Sequence, residues 1–514
     1  MKGWKCFMRD GLSKGLDEQG LRTLARENPM LYGVYHRSVH VDSGTCYFIA
    51  REQSGKILIA FGESSGYRLL HGQEAVIHGE KARICDMDPT NAAVIRELFP
   101  FTRPSSHQGR NITIGLGDRL GLASPGHINS VRNLPIFPVL AQQSIRELHL
   151  TGRTYDDVLS AASWAVFQED YTSGYGADGD HLKSREEIRM ALDAGFTMIT
   201  LDCSEHIDNT ALALPPEKAK QAYLRLDPEE RRRLEHSYLG RIFRVSEQTE
   251  ISYDPATFHR LAVTYHHAVE HAISLFKDMI EARRALVDFE LSIDETLVPT
   301  SPEAHWFVAS ELMAGGVTLT SLAPRFCGQF QKGIDYRGDR DQFEKEFSTH
   351  SEIAQHFGYK LSIHSGSDKF SVFPVIGKTT GGRYHLKTAG TNWLEAVRVI
   401  AMKNPSLYRQ MHAFSLSRLE QAKKHYQVTA DVTRIPDIGR MHDNDLPGLM
   451  DMEDSRQLMH ITYGLLLSEE DQSGLPVFRD TIYKTLHEYE KEYGDALKKH
   501  IGKHLDALGV RPVF

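Results

Sequence analysis

What most constrains this chain is an alternation of short apolar runs with helical patterns. From Asn111 onward the runs are ITIGLG (112–117), IFPVLAQ (136–142), a poorly defined one near 165–177, and FTMITLD (196–202). Then come LVDFELSID (286–294), VTLTSL (317–322), KLSIHS (360–365) and RYHLKT (383–388). Helical patterns such as TYDDVLSAASWAVF, SREEIRMALDAG and TNWLEAVRVIAMK follow most of them. Repeated strand-then-helix units bury a parallel sheet under its own crossovers, and eight of them close into a (β/α)8 barrel. An open doubly wound sheet is the alternative. The count of eight and the missing glycine fingerprint favour the barrel.

At 514 residues the chain exceeds a bare barrel of about 250. Residues 1–105 read as an α+β module, with CYFIA and KILIAFG as β-rich runs, and TRPSSHQGRN as the linker that follows. The barrel then occupies 106–403. Residues 205–285 form a helical insertion after the fourth run, and 404–514 form a helical, charged extension.

Sixty basic against sixty-eight acidic side chains give a net charge of −8, which argues against a nucleic-acid surface. No apolar run approaches the ~18 residues of a membrane helix, and MKGWKCFMRDGLSKG lacks a signal-like apolar stretch. The five cysteines are scattered, with no CxxC pair. They read as reduced thiols in a cytoplasmic protein. A homo-oligomer is compatible with this composition.

Barrel active sites lie at the C-terminal ends of the strands, and side chains there alternate between interior and exterior. In the fifth run Val287, Phe289, Leu291 and Ile293 form the outward set, so Glu290 and Asp294 point inward. By the same parity Ser362 and His364 face in on the seventh run, and His385 and Lys387 share a parity on the eighth. Charge of this kind inside a barrel is costly without a role. A buried ion-pair network at the barrel base is the plainer alternative. GYGADGDHLK reads as a glycine-rich turn carrying Asp180 and His181 before a helix. DETLVPTSPEAHW carries His305 into a helix. GLGDRLGLASPGH carries Asp118, Arg119 and His127. RFCGQFQKG and HSGSDKF supply Arg325, Lys332 and Lys369, candidate clamps for a carboxylate. HAVEH (His267 to His271) matches the inverted zinc-peptidase pattern H-x-x-E-H. Helical phase places its histidines on a solvent face, opposite Phe258, Leu261 and Tyr265, which argues against a zinc cavity.

Taken together, GDRLGLASPGH, GADGDHLK, SIDETLVPTSPEAH, APRFCGQFQKGIDY, HSGSDKF and HLKTAGT resemble the tagaturonate epimerase family over roughly residues 110 to 440. Glutamines stand at 329 and 331, at one of which an acidic residue is expected. The resemblance implies a barrel enzyme that reversibly epimerises tagaturonate and fructuronate with a divalent metal, and some relatives that act on tagatose and fructose. The stereocentre concerned is β to the ketone, so direct proton abstraction there has no enolate to support it. Retro-aldol cleavage and re-addition would overcome this, with a metal as Lewis acid. On this reading Asp180 and Glu290 are the acid–base pair, with Glu295 in reserve for Glu290. His181, His305 and His364 hold zinc, manganese, cobalt or nickel. Asp118, Arg119, Arg325, Lys332, Lys369 and Lys387 contact a sugar-acid substrate. A metal-dependent aldolase, a Schiff-base enzyme using Lys387 or Lys369, and a non-catalytic sugar-binding protein are the alternatives.

Overall fold

A computed structural model describes residues 3–512 apart from Ser54, His425 and Gln427. Eight parallel strands close into a barrel in chain order: Ile112–Gly115, Phe137–Gln143, Gly176–Leu182, Met198–Asp202, Asp288–Ile293, Ser321–Pro324, Lys360–Ile363 and Tyr384–Lys387. The last pairs with the first, Tyr384 opposite Ile112. The barrel expected from the eight runs is the fold.

The third strand corrects the sequence reading. The segment near 165–177 is the end of helix Tyr155–Glu169, a connecting loop and only the first two residues of the strand, and GADGDHL, read as a turn, is the strand. That helix buries all but three of its fifteen residues, so it shows no amphipathic stripe to mark it. The glycines of GADGD serve close approach. A Cβ on Gly179 would come within 3.0 Å of both Leu182 and Ala191. The register shifts between Gly179 and Leu182, and His181 takes a left-handed φ of 53°. This irregularity re-aims Asp180 and His181 at the strand's exit, as β-bulges do.

Before the barrel, five antiparallel strands form a sheet whose first face packs on Trp4, Phe7 and Leu21. Its other face meets Trp164 and Phe167 of a barrel helix. Between the fourth and fifth barrel strands lie helices Pro216–Tyr223, Pro228–Tyr238 and Pro255–Leu275, together with a small hairpin, Ile242–Arg244 against Glu250–Ser252. The insertion read as helical thus also carries a hairpin. After residue 404 the chain is helical, and these helices share one core with the last barrel helix, Gly390–Lys403. Trp393 sits in that core and donates Nε1–H to the Met459 carbonyl at 2.8 Å. No helix among the described residues is long and apolar enough to cross a membrane.

Candidate active site

Lys387 ends the eighth strand and is the centre of the barrel's charge. Its ammonium lies 2.6 Å from Asp180, 2.9 Å from Glu290 and 3.0 Å from Asp178, and it donates to Thr200 Oγ1 at 2.7 Å. Strand parity explains the convergence, because Asp178 and Asp180 are two apart on the third strand and both face inward. Burial alone would lower the ammonium pKa. Asp178, Asp180 and Glu290 outweigh it and hold Lys387 well above its usual value. Burial likewise works to raise Glu290, but Lys387 and then His364 hold its carboxyl well below the usual range. Asp180 is lowered against burial by Lys387, His181 and His364. Glu290 is fully buried; Ser321 Oγ donates to its Oε2 at 2.5 Å, and His364 Nε2 lies 2.8 Å from its Oε1.

A second cluster adjoins this one toward the mouth. His181, Asp294 and His364 each offer a donor atom, and the three atoms lie within 4.8 Å of one another. His181, Asp202 and Glu295 form an overlapping group. The two imidazoles meet edge to face with centroids 4.8 Å apart. Buried Nδ1 atoms on both rings lack a hydrogen bond and face carboxylates: Asp294 at 3.3 Å from His364, Asp202 at 3.7 Å from His181. Against burial, Asp180 and Asp202 raise His181 to about 9, and Asp294 raises His364. Imidazole and carboxylate donors grouped in this way could hold a divalent transition metal.

His305 is not part of this cluster. It lies in helix Pro302–Ala314 with Nε2 2.6 Å from the Tyr359 hydroxyl and Nδ1 2.9 Å from His350 Nδ1. Its place as a metal ligand is corrected by this geometry: the helix buries the ring behind the barrel wall. Asp294, which strand parity turned inward, stands in the position assigned to His305.

The cations separate in the same way. Lys369 is fully buried, and its three protons go to the carbonyls of Gln331, Ile334 and Ser367. Arg325 donates to the Thr296 carbonyl, within the loop after the fifth strand. Asp118 accepts from the backbone amides of Leu120, Gly121, Ala123 and Ser124 and so shapes the first-strand exit. Asp118 and Lys369 are thus held by loop contacts, whereas Arg325 also lines the cavity beside Asp294 and His364. Arg119 pairs with Glu147 and lies over the Tyr463 ring. Lys332 differs. Burial, then Arg119 and Arg146, lower it to about 8, while Asp180 and Asp294 act the other way. Among the described residues no hydrogen bond or ion pair engages its ammonium.

Geometry bears on two alternatives. The carboxylates around Lys387 hold its pKa well above the usual value, which disfavours the neutral amine a Schiff base needs; burial lowers Lys369 to about 7, but three carbonyls enclose its nitrogen. In HAVEH, His267 is exposed beside Glu270, whereas His271 stacks on His206 at 3.8 Å, so the two rings do not converge. Sequence reasoning missed Asp178, Thr200, Asp202 and Arg146. For the first three the signal was available: D-x-D on the third strand and T-x-D on the fourth place each pair on one face.

A cavity of about 600 Å³ opens beside Asp294 and His364. Its far wall includes Lys423, Tyr426 and Thr429, from the segment after helix Pro405–Ala422. A closed barrel with acids, imidazoles and a lysine at the strand exits, under a cavity, defines a barrel enzyme acting on a small molecule.

Within that class the chain belongs to the tagaturonate epimerase family, whose model matches residues 35–508. It is therefore an isomerase of the epimerase type. The tagaturonate/fructuronate epimerase of Thermotoga maritima is 40% identical over 478 residues, covering 93% of this chain and 97% of that protein. The native crystal structure of fructuronate-tagaturonate epimerase from Cohnella laeviribosi is 50% identical with a TM-score of 0.91, covering 95% of this chain and 99% of that one. A glycerol complex of the same Cohnella enzyme is 49% identical, also with a TM-score of 0.91, over 96% of this chain and 100% of that one.

Proposed function

We propose that this enzyme interconverts tagaturonate and fructuronate by a metal-assisted retro-aldol and aldol sequence. The observation that carries the reading is the adjacency of two clusters: Lys387 bridging Asp180 and Glu290, and the donors of His181, Asp294 and His364 beside them. When bound there, a divalent cation would supply Lewis-acid stabilisation to a developing enediolate.

The protein groups then do the following. Asp180, held ionised by Lys387, accepts the proton of the β-hydroxyl. The bond between that carbinol carbon and the carbon next to the ketone breaks, and its electron pair becomes the enediolate. The carbinol carbon becomes an aldehyde, turns, and is attacked on its other face. The proton taken by Asp180 passes through the Lys387 ammonium, which contacts both carboxylates, to Glu290, and Glu290 returns it to the new alkoxide.

An aldolase would release the aldehyde fragment, whereas an epimerase must keep it. The fragment carries the substrate's carboxylate, and Lys332, with Arg119 and Arg146 nearby, supplies positive charge to hold it. The free cysteine thiols fit a cytoplasmic setting for this chemistry.

Exhaustive chelation should abolish turnover of tagaturonate, and adding back zinc, manganese, cobalt or nickel should restore it. Full activity in metal-free protein, verified by elemental analysis, would overturn the metal reading.

A further inference from the structure

The exit of the sixth strand leads to the short loop that carries Lys332. Four successive carbonyls of this loop accept side-chain hydrogen bonds. Gln331 O and Ile334 O take protons from Lys369 at 2.9 and 2.7 Å. Gly333 O accepts from Arg456 Nε at 2.7 Å, and Lys332 O accepts from Gln457 at 3.4 Å. Donors on consecutive carbonyls fix the peptide planes, so the direction in which Lys332 leaves the backbone is set by Lys369, Arg456 and Gln457.

Two of these donors belong to helix Glu453–Ile461, in the C-terminal part of the chain. Arg456 is itself anchored: it donates to the Met450 carbonyl at 2.9 Å and meets the Asp368 carboxylate at 2.6 Å. His500, from the last long helix, Glu490–Ala507, lies 2.5 Å from the other oxygen of Asp368 and 3.0 Å from Glu395. His504 Nε2 accepts the Asp368 backbone N–H at 2.9 Å. Asp368 holds a left-handed φ of 63°, an unfavourable state for an aspartate that these contacts maintain. Asp368 also sits four residues beyond His364, so the same cluster fixes the loop leaving the seventh strand.

We propose that Arg456 is a positioning residue for substrate binding. With Asp368, His500 and Lys369 it forms a buried charged cradle that aims the Lys332 ammonium at the carboxylate end of the substrate. The C-terminal helices thereby take part in substrate recognition as well as in packing. This inference rests on the reading of Lys332 as a carboxylate contact given above.

The test compares Lys332→Met, Arg456→Lys and Arg456→Met in metal-loaded full-length protein with tagaturonate. Arg456→Lys keeps a cation beside Asp368 but cannot serve Gly333, Met450 and Asp368 together, so it guards against outright unfolding. Loss of folded protein lowers the apparent kcat and leaves KM alone, whereas a misaimed Lys332 raises KM. Lys332→Met should raise KM by about ten- to a hundredfold. Arg456→Lys should raise it about three- to tenfold with kcat within threefold, and Arg456→Met should raise it further. An unchanged KM in soluble Arg456→Lys, beside a raised KM in Lys332→Met, would overturn the positioning role alone. An unchanged KM in Lys332→Met would overturn the carboxylate reading itself.

Discussion

Lys387→Met should produce the largest stability loss of any substitution at the barrel centre. The ammonium is the shared partner of Asp178, Asp180 and Glu290, and two of those carboxylates have essentially no solvent contact. Removing one member of a buried charge cluster leaves the remaining charges uncompensated, which costs about 3–5 kcal/mol. Turnover should fall by at least ~10²-fold, because neither acid–base carboxylate then keeps its protonation state. The pH dependence between neutral and 5 should change as well. In the parent, Glu290 and Asp180 have pKa values depressed on folding, so they stabilise the protein above the unfolded carboxylate range. That contribution is lost as pH falls through the folded values. In the variant these carboxyls are raised by burial, so stability should increase as pH falls from neutral toward 5. Denaturant unfolding across that range measures both effects; a variant as stable as the parent at neutral pH, with the same pH slope, would contradict this account of the centre.

The second large effect separates proton transfer from metal binding. Glu290→Gln preserves shape and hydrogen-bonding capacity but removes the charge. It should lower kcat by ~10²–10⁴-fold while metal content stays at the parental level. His364→Ala removes a donor that lies between Glu290 and Asp294, so metal occupancy itself should fall. Elemental analysis of both variants beside their kcat values distinguishes the roles. A Glu290→Gln protein that lost metal but turned over normally in excess metal would exchange the two assignments.

Much of this architecture was legible in the sequence because period-two alternation is visible wherever an exterior face is apolar. The fifth strand shows it best: Phe289, Leu291 and Ile293 pack outward, and Glu290 reaches Lys387 inside. The third strand was illegible because its neighbours are glycines, which carry no pattern, and because the preceding helix is buried nearly all round. His305 was misassigned because loop and helix positions do not reveal which way a first-turn side chain points. Lys369 was read as a substrate contact by residue type alone. Its most distant backbone partner lies 38 residues away, and no local pattern encodes such a pairing. The role of Arg456 was hidden more deeply still, since its partners Gly333 and Asp368 are 123 and 88 residues distant.

The central claim is that the carboxylate-bearing fragment is formed, turned and rejoined without leaving. It is tested most directly by incubating metal-loaded enzyme with tagaturonate and following the products by nuclear magnetic resonance. The account predicts fructuronate approaching an equilibrium mixture, with no accumulation of three-carbon fragments, and the same mixture when fructuronate is the starting material. Steady release of a three-carbon aldehyde acid and dihydroxyacetone without fructuronate would contradict it and identify an aldolase.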